Sequence, residues 1–107
     1  MDFAINIVKL ADKLKQNHQQ ELASQIVRSG TSIGANIAES EYAVSKADFI
    51  NKLQISLKEV NETKYWLHVL YKSKKIIDTE YFKLNDDILE IMKILISSLN
   101  SSKKQLN

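Results

Sequence analysis

Apolar residues recur at intervals of three, four and seven positions in four segments of the chain, and polar residues fill most of the positions between them. This spacing places the apolar side chains on one face of a helix. It predicts four helices, over residues 2–15, 19–43, 45–74 and 78–102. Because few residues separate the segments, we expect an all-α protein, an antiparallel up-down-up-down four-helix bundle.

The ends of the predicted helices carry residues that suit those positions. Ser45 can accept a hydrogen bond from the backbone N–H of Asp48, and Asp78 or Thr79 can cap the fourth helix in the same way. The 107 residues include no proline and two glycines, and 44% of them are apolar. This composition is typical of a globular helical protein, and the length predicts a single domain over residues 1–107.

The segment 28–40, RSGTSIGANIAES, places both glycines inside the second predicted helix. A phosphate-binding loop is excluded because no Lys-Ser/Thr pair follows the second glycine and no strand precedes the segment. A loop at 29–34 is an alternative, but Ile26 and Ile33 keep one helical register across it. We therefore predict a continuous helix with a flat stripe for close packing. The stripe consists of Gly30, Gly34 and Ala38.

Two polar residues, Asn36 and Glu39, lie beside this stripe. They are open to two interpretations. In the first they form an ordinary polar helix edge. In the second they belong, with the glycines, to a half-buried network that fixes the packing register, with Arg28 of a neighbouring helix or a neighbouring chain as a partner.

The same segment, followed by SKADF at the start of the third helix, resembles the signature of the 23S rRNA intervening-sequence proteins, a family of four-helix bundles. The matching residues are Gln25, Arg28, Ser32, Ile33, Asn36, Ile37, Ala38, Glu39, Ser45 and Phe49. The departures are Val27 for an arginine, Gly34 where proline is common, and Asp48 for a glutamate. The change at Val27 removes one positive charge from any charged surface that the resemblance implies.

The resemblance implies a non-enzymatic bundle that assembles into a ring, commonly a pentamer. Members are encoded within inserts in bacterial 23S rRNA genes or stand alone in genomes, and a related accessory protein of diversity-generating retroelements partners a reverse transcriptase and binds nucleic acid. The resemblance therefore implies RNA or a ribonucleoprotein as a partner. The alternative is an adaptor that docks a protein partner, such as a reverse transcriptase, without contacting RNA.

Positive residues on the third helix are the candidates for nucleic-acid contact, although a net charge of +2 does not by itself indicate such binding. Lys58, Tyr65 and Lys72 follow one another at seven-residue intervals and so share one helix face. The full candidate set is Arg28, Lys58, Tyr65, Lys72, Lys74 and Lys75. A ring would multiply a weak phosphate-binding patch. The ordinary alternative is a solvated face, since Glu59 and Glu62 lie among the lysines.

A further set of apolar residues lies away from the predicted core on the third and fourth helices. The apolar arc is wider than one bundle core requires, and monomers seldom expose a large apolar patch. We therefore predict a homo-oligomer in which the third helix of one copy contacts the fourth helix of the next. The candidate interface residues are Ile55, Trp66, Val69, Phe82, Leu89 and Ile96. Scattered surface hydrophobes are the ordinary alternative.

No metal, cofactor or catalytic site is predicted. The chain has no cysteine, and neither His18 nor His68 follows a glutamate three residues earlier, as a di-iron bundle requires. The acidic run of Asp86, Asp87 and Glu90 is typical of a solvated face. No apolar run is long enough for a bilayer, and the first residues do not resemble a signal peptide, so we expect a cytoplasmic protein without a membrane partner.

Overall fold

The computed structural model describes residues 2–106, and the regular structure within them is helical. Four helices follow one another along the chain: α1 (Asp2–Gln16), α2 (Gln20–Ser40), α3 (Lys46–Lys72) and α4 (Asp78–Leu106). The described residues extend over 49 × 21 × 19 Å. No helix in this part of the chain is long and apolar enough to cross a bilayer.

The four predicted helices are confirmed, with small shifts at their ends. α2 ends at Ser40 and α3 at Lys72, both earlier than predicted, whereas α4 continues past Ser102 to Leu106. Beyond the end of α2, most of the side chains before α3 face solvent. Tyr42, for example, is exposed.

The turns after α1 and α3 each contain one non-glycine residue in the left-handed region, His18 (φ 63°) and Lys74 (φ 61°). In each turn the backbone N–H of the next residue donates to a carbonyl oxygen five residues earlier, at 2.8 Å. This Schellman arrangement satisfies the last carbonyl groups of the helix and ends it. Left-handed geometry is uncommon for residues other than glycine, so the sequence predicted connections near these positions but not this backbone conformation.

The predicted cap of α3 is confirmed. The backbone N–H of Asp48 donates to Ser45 Oγ at 3.0 Å, and the carboxylate of Asp48 accepts a hydrogen bond from the backbone N–H of Val44 at 3.2 Å. The two reciprocal bonds satisfy backbone donors that have no partner inside the helix.

The four helices form a bundle around one core. α2 packs most extensively against α3, and α1 and α4 have the least extensive contact of the neighbouring pairs. Apolar side chains from all four helices fill the interior. The fully buried members among them are Ile7, Ala23, Ile26, Ile33, Val60, Leu67, Leu70 and Ile88.

Candidate nucleic-acid interface

Arg28 lies on α2 and faces two glutamates of α3. Its guanidinium Nη1 donates to Glu59 Oε2 at 3.3 Å, and its Nη2 donates to Glu62 Oε1. Glu62 Oε1 also accepts a hydrogen bond from the indole Nε1 of Trp66 at 3.3 Å. The positive charge of Arg28 is therefore balanced inside the chain, which leaves little of it for a phosphate group.

The two glycines of α2 differ in how closely a neighbour approaches them. The helix is continuous through both, as predicted. A Cβ atom on Gly30 would lie 2.8 Å from Cγ2 of Ile7 on α1. Gly34 is only half-buried and Ala38 is exposed. Within the described residues, the close approach predicted for the stripe is therefore seen at Gly30 and does not extend to Ala38.

The polar residues beside the glycines have partners other than Arg28. Asn36 Nδ2 donates to the backbone carbonyl of Ser32 within α2 at 2.9 Å. Glu39 forms an ion pair with Lys52 of α3 at 3.1 Å. Within the described residues, Glu39 therefore links α2 to α3, whereas Asn36 bonds its own helix.

Buried hydroxyl groups between α2 and α3 were missed by the sequence reasoning. Ser56 Oγ donates to the carbonyl oxygen of Ile33 at 2.8 Å, and the hydroxyl groups of Thr63 and Ser29 are hydrogen-bonded to each other at 2.9 Å. All three hydroxyl residues are fully buried. A signal was present, since Ser56 and Thr63 are seven residues apart and belong to the same helical register as Val60. These bonds tie the register of α3 to that of α2.

The candidate lysines lie on the surface of α3 and in the turn that follows it. The residues concerned are exposed: Lys58, Tyr65, Lys72, Lys74 and Lys75. Among residues 2–106, none of these four lysines makes an ion pair, whereas Lys13, Lys52 and Lys83 do. The line from Lys58 through Tyr65 to Lys72 spans about 21 Å of helix.

Three aromatic rings meet where α3 gives way to α4. Tyr71 and Tyr81 stack with centroids 4.1 Å apart and planes at 6°, and Phe82 lies 5.8 Å from Tyr71 and 5.4 Å from Tyr81. Lys72 Nζ lies 5.9 Å from the centre of the Tyr71 ring. Burial raises the pKa of the Tyr71 hydroxyl above its usual value, and the carboxylate of Asp78 raises it further.

The chain is similar to known proteins in both sequence and structure. The profile of the 23S rRNA-intervening sequence proteins matches residues 1–97. The chain belongs to this family. A crystal structure from Bacteroides thetaiotaomicron, described as a protein with unknown function from the S23 ribosomal protein family, is 50% identical, with 92% of each chain covered and a TM-score of 0.89. No curated protein matches.

The resemblance seen in the α2 segment is thus confirmed. Neither the family description nor that of the Bacteroides protein names a reaction. Over the described residues, no three histidine or acidic side chains are grouped so that they could hold a metal ion.

The candidate interface residues divide into two groups according to their exposure. The exposed residues are Ile55, Phe82, Leu89 and Ile96. Val69 and Trp66 are half-buried, and Trp66 packs partly against the core. The indole of Trp66 also contacts the ring of Tyr65 at 5.0 Å. On α4, Phe82, Leu89 and Ile96 are seven residues apart and share one face.

Proposed function

We propose that this protein is a non-enzymatic, oligomeric four-helix bundle that associates with RNA or a ribonucleoprotein through lysines of α3 and of the turn after it. The observation that carries the proposal is the grouping, on α3 and in the turn after it, of four exposed lysines that make no ion pair within the described residues: Lys58, Lys72, Lys74 and Lys75. Such side chains can neutralise phosphates and release their counterions. The family description supports RNA as the class of partner.

The balance of charges explains why the lysines, and not Arg28, carry this proposal. Arg28 is held between Glu59 and Glu62, and moving it to a phosphate would leave two carboxylates without their shared cation. Lys58 and Lys72 make no ion pair within residues 2–106, so no carboxylate there would be left without its partner when they bind phosphate. We therefore expect the lysines to dominate the salt dependence of RNA binding.

The proposal includes an up-down-up-down arrangement of the helices and a closed ring. Contacts of Ser29 with Thr63 and of Ile33 with Ser56 support antiparallel α2 and α3, because the later residue of α2 meets the earlier residue of α3. The ring is supported by the exposed apolar side chains of Leu89 and Ile96 on α4, which gain by leaving water. We place the protein in the cytoplasm, where an RNA partner is available.

The RNA proposal is tested by charge reversal with a matched control. Lys58→Glu, Lys72→Glu and Lys75→Glu, made together, should abolish retention of structured RNA in a gel-shift assay and leave helicity unchanged. The control reverses the same number of exposed lysines elsewhere: Lys9→Glu, Lys93→Glu and Lys104→Glu. Unchanged retention in the first variant, or equal loss in both, contradicts the assignment of these lysines.

The oligomer is tested by light scattering. The wild type should be larger than a monomer at micromolar concentration, and Trp66→Asp should dissociate it. Because Trp66 is half-buried, Leu89→Asp is a second variant at an exposed position that can dissociate the oligomer without disturbing the core. A monomeric wild type refutes the ring.

A protein-docking adaptor is the second candidate function. The same exposed apolar residues on α4 favour it, because an apolar face can bury against a different protein as well as against another copy. A wild-type protein that is monomeric and retains no RNA at low salt would favour the adaptor over the RNA-associated ring.

A further inference from the structure

One surface of the bundle combines an exposed aromatic ring with positive side chains that have no ion pair in the described residues. It lies where α3 ends and α4 begins, and we call it the turn surface. Its members are Tyr71, Lys72, Lys74, Lys75, Tyr81 and Phe82. Phe82 is 53% exposed, although it contacts both tyrosine rings.

The two tyrosines hold Phe82 in a fixed place. Tyr71 and Tyr81 are half-buried and stack face to face across the ends of the two helices. Phe82 packs against both at angles of 59° and 64°, in the tilted and edge-on arrangements that aromatic rings favour. A ring supported in this way loses little conformational freedom when something stacks on it.

The lysines decide which kind of partner suits the turn surface. Interfaces between proteins are depleted in lysine, because the ammonium group must lose its water. Three exposed lysines, two of them beside Tyr71 and the third in the same turn, would make a poor apolar interface. A nucleic-acid strand suits both the lysines and the phenylalanine, since its phosphates pair with lysine and its bases stack on aromatic rings.

We propose that the turn surface binds unpaired nucleotides, with one base stacked on Phe82 and the adjoining phosphates on Lys72, Lys74 and Lys75. This inference rests on the proposed RNA association and makes it more specific. The bases of a duplex already stack on one another, so the surface discriminates in favour of single-stranded segments. Tyr65, 59% exposed and two turns before Lys72, extends the strand's path along α3.

The test measures fluorescence anisotropy with an unstructured RNA of about 12 nucleotides, a length suited to such sites, and with the same RNA annealed to its complement. The wild type should bind the single strand more tightly. Phe82→Ala should raise the Kd for the single strand by about 5-fold to 150-fold. Ile94→Ala, which removes an equally exposed apolar side chain elsewhere on α4, should leave the Kd unchanged.

Salt dependence separates stacking from charge. Stacking releases no counterions, so Phe82→Ala should lower the affinity without changing the slope of log K against log salt. Lys72→Gln should make that slope shallower by about one phosphate contact. Phe82→Leu keeps apolar volume without an aromatic face and should lose affinity as Phe82→Ala does, which guards against a folding defect in the alanine variant.

The outcomes distinguish this inference from the proposed function. If the protein retains RNA but binds duplex and single strand equally, and Phe82→Leu binds like the wild type, the inference fails and the RNA association stands. If the wild type binds neither RNA, both fail. If Phe82→Leu dissociates the oligomer, Phe82 belongs to the contact between copies and the inference is overturned.

Discussion

Replacing Gly30 with alanine tests the closest approach between α1 and α2. The added methyl carbon would lie 2.8 Å from Cγ2, 3.2 Å from Cγ1 and 3.3 Å from Cβ of Ile7. Ile7 is completely buried, so its branched side chain cannot turn into solvent to make room. The two helices must therefore move apart or Ile7 must adopt a strained rotamer.

Two opposing effects determine how much Gly30→Ala changes the free energy of unfolding. Overpacking of this kind costs about 1–3 kcal/mol, whereas alanine in the middle of a helix is favoured over glycine by about 1 kcal/mol. We expect the Gly30→Ala variant to be less stable than the wild type by about 1 kcal/mol. Gly34→Ala, at a half-buried position in the same helix, should be as stable as the wild type or slightly more stable. There the higher helix propensity of alanine is opposed by less overpacking.

The assay is chemical denaturation of single and double variants. Ile7→Ala alone should cost about 2–5 kcal/mol, because it leaves a cavity. In the double variant the methyl group of Ala at position 30 no longer meets Cγ1 and Cγ2 of residue 7. The double variant should therefore be more stable than the sum of the two single effects predicts. Stabilisation by Gly30→Ala, or additive effects in the double variant, would refute the close approach between Gly30 and Ile7.

Three other changes probe separate parts of the structure. Ser45→Ala removes the acceptor for the Asp48 N–H and should lower the free energy of unfolding by about 1 kcal/mol; an unchanged denaturation midpoint contradicts the cap. Thr63→Val removes the buried hydroxyl group that is hydrogen-bonded to Ser29 and should cost about 1–2 kcal/mol, whereas a more stable variant would show that this bond is dispensable. Burial raises the pKa of Tyr71 above its ordinary value of 10.0, so the folded state holds the phenolic proton more tightly than the unfolded state does, and stability is lost as pH rises through about 10 and above. Tyr71→Phe should lessen that loss in denaturation curves at about pH 9 and pH 11, and an equal loss would contradict the shift.

The helices could be predicted because burial on one face leaves a periodic trace in the sequence. Ile26 and Ile33 keep one register across the glycines, and this argued for a continuous helix where composition favoured a loop. The cap at Ser45 could be predicted because its hydrogen bond spans three residues and needs no tertiary contact. The ends of the helices were harder to predict. Lys74, for example, adopts a left-handed conformation that lysine rarely adopts.

The sequence predicted only those features of the candidate site that depend on the spacing of residues along one helix. The alignment of Lys58, Tyr65 and Lys72 depends on helical spacing alone. The pairing of Arg28 with Glu59 and Glu62 depends on the register between two helices, which one sequence does not contain. The aromatic cluster joins Tyr71 of α3 to Tyr81 of α4, so its geometry depends on the turn between them.

The salt dependence of RNA binding tests the central claim most directly. Four lysines per chain on a single strand should give a slope of log K against log salt of about −3 for one chain, and a steeper slope if several copies in a ring engage the same RNA. Removing Lys58, Lys72, Lys74 and Lys75 together as glutamines should bring the slope close to zero. Binding that does not weaken as salt rises, or a quadruple variant with the wild-type slope, would contradict an RNA association through these lysines.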